Sequence, residues 1–361
     1  MPKFSAFFSI FAYEMVKERI EYIDAMRGFT MILVVYSHVC NYCLGNKWMG
    51  WNDVFFLFRL PCFFFISGYL FEKVGRQWDN ISVKFVIWHK FMVQIVPTII
   101  FLLLLAPPPL FFSKLGATKG GYWFTIALFE FFLICIFSER YMKRWGGAFA
   151  LAISVAAFCY DIYYHQFVTS SHNLQLSILN YQFSITDVLG FMSVITWRYY
   201  LFFYLGTWVK RHFDEFIRWT GKTVVVITVV VCFVIIAWNP HSENMIGAYL
   251  VFAFGGILGL TMVFTAFRSF SGYLTKDSWL GRGLQYIGTR TLDIYLLHYF
   301  FLPRFLLVYA PQLSVDEPNR PLEFIVAITL ALVVVTVCLL VSYIIRLNAF
   351  LGHYLFGVKR N

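Results

Sequence analysis

Apolar stretches of roughly 20 residues recur along this chain from one end to the other, and that recurrence limits the fold more than any other feature. In hydrocarbon no water satisfies an open N–H or C=O, so segments of this length must be helices. Ten spans are predicted, at 28–45, 53–71, 84–106, 121–138, 146–164, 186–209, 223–239, 245–267, 284–305 and 323–345. Only 13% of the residues are charged, and a soluble protein carries about twice that share. The expectation is an all-α, polytopic membrane protein, a bundle of about ten transmembrane helices. It is read as one membrane domain over 24–346, with an interfacial segment at 1–23 and a tail at 347–361.

The basic residues give an orientation. Twenty of the 29 Lys and Arg fall in loops on the side of the N-terminus, and four, Lys47, Lys114, Lys119 and Arg320, in the opposite loops. Such a bias marks the cytoplasmic face, so both termini are predicted to be cytoplasmic and the location the cell (inner) membrane. The net charge of +10 then reports loop bias and anionic lipid head groups, and nucleic acid drops out as a partner. The apolar run Phe4–Tyr13 is followed by Glu14, Lys17, Glu18, Arg19 and Glu21 rather than by a cleavage site. It reads as an amphipathic helix on the membrane surface. The cysteines sit almost wholly in apolar segments. Cys40-x-x-Cys43 has no second pair to support a metal site, and the cysteines read as small buried hydrophobes.

Within this background one stretch carries chemistry: Asp24-Ala-Met-Arg27-Gly, followed by a lone imidazole at His38. Arg27 and His38 are 11 residues apart, which on a helix returns to nearly the same face after about three turns and ~16 Å. His38 would then lie near mid-depth of a ~30 Å core, where an ionisable group raises a functional hypothesis. A neutral packing histidine bonded to a neighbouring helix is the alternative. Other spans carry Arg59, Ser67, Glu130, Asp187, Arg198, Arg290, Asp293, His298 and Arg304. Glu130 or Asp187 against Arg59 or Arg198 would make pairs that neutralise one another, either as structure or along a polar cavity. The outer loop at about 160–185 holds Tyr160, Asp161, Tyr163, Tyr164, His165, His172, Asn173, Asn180, Tyr181 and Gln182, with no Lys or Arg. Such side chains suit an uncharged polyhydroxylated ligand, and equally an interfacial aromatic belt.

Four stretches together resemble the acyltransferase 3 family of membrane-bound acyltransferases. Asp24-Ala-Met-Arg27-Gly with His38 is similar to its first-helix arginine and histidine. Phe58-Arg59-Leu-Pro61-Cys-Phe-Phe-Phe-Ile-Ser67-Gly68-Tyr69 resembles its second-helix run. Gly121-Tyr-Trp123-Phe124 is similar to the start of its fourth helix, and Ile287-Gly288 through Tyr295-Leu-Leu-His298 to its late motif. Lys84, His89 and Lys90 stand where the family often has arginines, which keeps positive charge without the planar fork.

The resemblance implies an O-acyltransferase, most often an O-acetyltransferase, moving an acyl group from cytoplasmic acyl-CoA to a hydroxyl of a surface or lipid-linked glycan. Acetyl-CoA would be a co-substrate, with no bound cofactor and no metal; the partners are acyl-CoA, the saccharide acceptor and membrane lipids. Arg27 with Asp24, Lys84 and Lys90 would hold the donor's phosphates, and its arm would pass Ser67 and Gly68 toward His38. His38 would act as general base or as an acyl-carrying nucleophile, and Asp24 could instead cap the helix and pair with Arg27. Arg59, Glu130, Arg198, Tyr163, Tyr164 and His165 would face the acceptor. The alternative function is a multi-pass transporter or flippase of a small polar or lipid-linked substrate, with buried charges lining its path.

Overall fold

A computed structural model describes residues 20–45, 50–75, 83–105, 121–142, 145–167, 175–178, 181–184, 193–238, 244–309 and 320–358. The expected interfacial segment 1–23 lies almost wholly outside this set. Among the described residues the regular structure is helical apart from one antiparallel pairing of β1 (Gln175–Ile178) with β2 (Tyr181–Ser184). The helices are α1 (Glu21–Tyr42), α2 (Gly50–Gly75), α3 (Val83–Lys90), α4 (Val96–Leu105), α5 (Trp123–Tyr141), α6 (Gly146–Phe167) and α7 (Tyr200–Arg211). There follow α8 (Phe213–Thr220), α9 (Thr223–Trp238), α10 (Met245–Ser269), α11 (Trp279–Thr289), α12 (Thr291–Phe301), α13 (Arg320–Arg346) and α14 (Ala349–Phe356).

Among the described residues six helices are long and apolar enough to cross a membrane, and seven if α8 and α9, which meet at 79°, count as one broken span. The class is as expected, a polytopic helical membrane protein, but ten unbroken spans are not reached. The three that fall short do so for identifiable reasons. Over 121–138 stands α5, whose 19 residues include Glu130, Glu139 and Arg140. Over 186–209 a 3₁₀ turn, Val194–Tyr199, precedes the short α7. Over 284–305 the helix breaks at Arg290 into α11 and α12, 11 residues each. The first span also begins earlier than 28, at Glu21. The expected outer loop at 160–185 starts as helix, since α6 runs to Phe167.

The most polar of the long helices is the most enclosed. In α1, 78% of the most apolar window is buried, against 28% in α13. Tertiary packing therefore shields the former, and lipid suits the latter. Two close crossings fix the frame around α1 and α2. A methyl group on Gly28 would meet the Leu284 carbonyl, and one on Gly288 would meet that of Asp24, so α1 and α11 touch backbone to backbone. Gly68 and Gly206 do the same for α2 and α7, against the carbonyls of Phe203 and Phe65. Small residues at helix crossings of this kind let membrane helices approach closely. Between α3 and α4 the backbone forms a π-turn, Phe91–Ile95, which turns Val93 and Gln94 to the interior. The expected small-hydrophobe role suits the cysteines: all seven are free, and five, Cys40, Cys43, Cys62, Cys135 and Cys338, are buried.

Candidate active site

The interior space is a cavity of about 830 Å³, within the ~300–1,000 Å³ range of small-molecule sites. One stripe of α1 faces it: Arg27, Met31, Val34, His38 and Asn41. The intervals of three or four residues define a helix face, so the predicted alignment of Arg27 with His38 is present. Ser67 and Arg59 of α2 also line it, as do Gln94, Trp123, Ser193, Arg198 and Asp161.

Arg27 is tied at one end. Its Nη1 lies 3.6 Å from Asp24 Oδ1, one turn earlier, and its Nη2 donates to Thr291 Oγ1 at 3.1 Å. Thr291 opens α12 just past the break at Arg290, so the broken helix places a hydroxyl where an unbroken one would carry its polar groups past. Asp24 stands behind Arg27, not on the cavity wall.

His38 has a partner that reading by residue type missed. Its Nδ1 is 2.7 Å from Nε2 of His298, which is fully buried. His298 Nδ1 is 3.0 Å from the Ile294 carbonyl. A carbonyl only accepts, so His298 carries its proton on Nδ1 and presents a lone pair at Nε2. His38 must then donate from Nδ1, which leaves its Nε2 as an acceptor. The Tyr299 hydroxyl stands 3.4 Å from that Nε2 and 3.4 Å from the Gly121 carbonyl. The network thus sets one tautomer with the basic nitrogen outermost. His298 was visible in the sequence as a polar residue of an apolar span and as the end of the late motif. Its pairing across 260 positions was not. The late motif also meets the Gly121-Tyr-Trp-Phe stretch: the Phe124 amide donates to Tyr295 Oη at 3.0 Å, and Tyr122 Oη donates to the Leu296 carbonyl at 2.8 Å.

The other end is lined by two more arginines. Arg198 Nη1 bonds Asp161 Oδ2 at 2.5 Å, and its guanidinium lies over the rings of Tyr199 and Phe252. Arg59, buried, donates to Asn52 Oδ1 at 2.8 Å. Among the described residues the partner of Arg198 is therefore Asp161, rather than Glu130. Glu130 accepts from Trp197 Nε1 at 2.8 Å and is not part of the cavity wall. Asp187 lies outside the described residues.

Several expected site residues stand elsewhere. Gly68 serves the α2–α7 crossing rather than a donor passage, because the Phe203 backbone already fills the space. Ser67 does line the cavity, with its hydroxyl bonded back to the Phe63 carbonyl at 2.9 Å. Lys84 is exposed, and Lys90 Nζ sits 4.2 Å above the Phe132 ring; neither lines the cavity. Tyr163 is exposed and also off the wall. Tyr164 and His165 belong to α6, but their side chains lie outside the described residues.

The family model described as an acyltransferase domain matches residues 20–346, nearly the whole chain. No curated protein and no solved structure matches it. A bundle of apolar helices closing around a histidine pair, with the matched span covering every helix that lines the cavity, belongs with that assignment: the chain is a member of the acyltransferase 3 family, a membrane acyltransferase.

Proposed function

We propose that this protein is an acyl-CoA-dependent O-acyltransferase, with acetyl-CoA as donor and a saccharide hydroxyl as acceptor. The observation that carries this reading is the His38–His298 pair, with His38 on the wall of a cavity that also has Arg27 on it. Arg27 would bind a donor phosphate, since a guanidinium matches phosphate oxygens with two parallel bonds. The acceptor hydroxyl gives its proton to His38 Nε2 while its oxygen attacks the thioester carbonyl. The C–S bond then breaks, and the imidazolium returns the proton to the departing thiolate, leaving ester and CoA thiol. His298 acts through His38, by accepting its Nδ1–H and stabilising the imidazolium.

Supporting the orientation is the basic bias of the loops on the side of both termini, which favours a cell inner membrane location with both ends cytoplasmic and the donor entering there. Purified protein in nanodiscs, given acetyl-CoA and a mixture of methyl glycosides, should release CoA and form an acetyl ester. Release of no CoA and no ester in a folded preparation would sink the reading. A C-terminal alkaline phosphatase fusion that is active outside the cytoplasm would reverse the orientation.

A further inference from the structure

Two serines on the cavity wall, Ser37 and Ser193, are only 1% and 2% exposed, and neither hydroxyl has a hydrogen-bond partner among the described residues. Buried polar groups are nearly always bonded, so each exception asks for a cause. Oδ1 of Asn41, on the same wall, is also buried and unbonded.

Ser37 declines an available bond. Thr30, Ser67, Thr98, Thr220 and Thr261 each donate back to the carbonyl four residues earlier, the usual outlet for a helical hydroxyl. Ser37 sits in the middle of α1 and does not. Asn41 follows it by one helical turn, on the same side, with His38 between them in sequence.

Ser193 shows a second anomaly. Its φ of 52° and ψ of 26° put it in the left-handed region, and it is the one non-glycine residue with positive φ among the described residues. A β-carbon is strained there, and strain of this kind collects where a ligand must be met. Its carbonyl is anchored by the Thr196 amide at 2.7 Å and the Thr196 hydroxyl at 2.6 Å, so the conformation is held from the backbone side.

The chemistry of the set is mixed and neutral. Asn41 Oδ1 only accepts, while the two hydroxyls donate or accept. Of the arginines on the same wall, Arg198 is paired with the carboxylate of Asp161, while Arg59 keeps its charge and donates to the neutral amide of Asn52. We infer that Ser37, Asn41 and Ser193 form a hydroxyl-binding subsite for the acceptor, suited to the free hydroxyls of a sugar ring, which can donate to Asn41 as well as accept. One acceptor hydroxyl donates to Asn41, others exchange bonds with the serines, and the reacting hydroxyl is the one left facing His38. The identity of the ligand as acceptor rests on the proposed transfer reaction; binding itself needs no turnover.

The test is saturation-transfer NMR on the full chain in nanodiscs, with methyl β-D-glucopyranoside and its tetra-O-methyl ether, which has no hydroxyl left to donate. The free glycoside should bind about tenfold more tightly. Ser37→Ala, Asn41→Ala and Ser193→Gly should each weaken it by roughly threefold to tenfold, the size of one or two lost hydrogen bonds, with acetyl-CoA affinity kept. Ser193→Gly should also raise the unfolding temperature, because glycine relieves the left-handed strain. A residue with a purely structural role would not lose binding while gaining stability.

The subsite is overturned if the variants keep glycoside affinity, if the wild type binds neither glycoside or both equally, or if the variants weaken acetyl-CoA instead. Acetyl transfer is measured on the same preparations. A wild type that binds the free glycoside and transfers nothing would overturn the proposed reaction and leave the subsite standing.

Discussion

The two arginine-bearing regions of the cavity are built differently. The Arg27 side chain is 27% exposed, with its carboxylate partner at 3.6 Å. That of Arg198 is 20% exposed and gripped by Asp161 at 2.5 Å, with aromatic rings against its guanidinium. The long pair at Arg27 leaves room for an incoming anion to compete for the guanidinium. The short pair at Arg198 is a self-neutralised strut, its charge already answered by a carboxylate. An incoming anion is therefore held more readily at Arg27 than at Arg198.

His38 stands between the two regions, and removing it should produce the largest effect. His38→Ala is expected to lower kcat by about 10²–10⁴-fold, the usual worth of a general base, with donor and acceptor binding retained by calorimetry. His298→Phe should lower kcat less and shift the pH–rate profile, since His38 would lose its tautomer lock. An unchanged profile would detach His298 from the chemistry. Next, Asp161→Ala should destabilise the fold by ~1–3 kcal/mol, because it leaves a mostly enclosed guanidinium without its carboxylate. Asp24→Ala should cost much less. Equal losses in thermal unfolding would erase the contrast between the two regions. Arg27→Ala should then weaken acetyl-CoA binding by roughly 10- to 100-fold, in line with ~1.5–3 kcal/mol for a bond to a charged group. Arg27→Lys should recover only part of it, for want of the planar fork. Donor affinity unmoved in Arg27→Ala would return Arg27 to structure. The smallest effect is assigned to Tyr163→Ala, whose exposed side chain lies off the cavity wall. Stability should stay within about ±0.5 kcal/mol, and a large rise in acceptor KM would bring that residue back into the site.

What the sequence made legible was local. The spacing of Arg27 and His38 is a property of one helix, so periodicity alone was enough to align them. The membrane class followed from apolar length, and Arg59, Arg198 and Ser67 were recognisable as polar groups out of place. What escaped depended on partners far along the chain. No spacing rule joins His38 to His298 or Arg198 to Asp161. The resemblance and their charge marked Lys84 and Lys90 as donor contacts, but packing turned one outward and laid the other on Phe132. Gly68 signalled a close approach, and only the fold says that the approaching group is the Phe203 backbone. The breaks at Arg290 and at the 3₁₀ turn have no Pro signal at the break itself, which is why spans were expected to run straight through them.

The histidine pair ends on the Ile294 carbonyl, inside α12. A carbonyl holds no exchangeable proton, so the chain from the cavity is a blind alley rather than a wire through the bilayer. Whatever His38 takes up must leave through the cavity again. The pair therefore passes no proton across the membrane, and turnover should not draw on a proton gradient: an ionophore that collapses the gradient of sealed vesicles would leave the rate where it was.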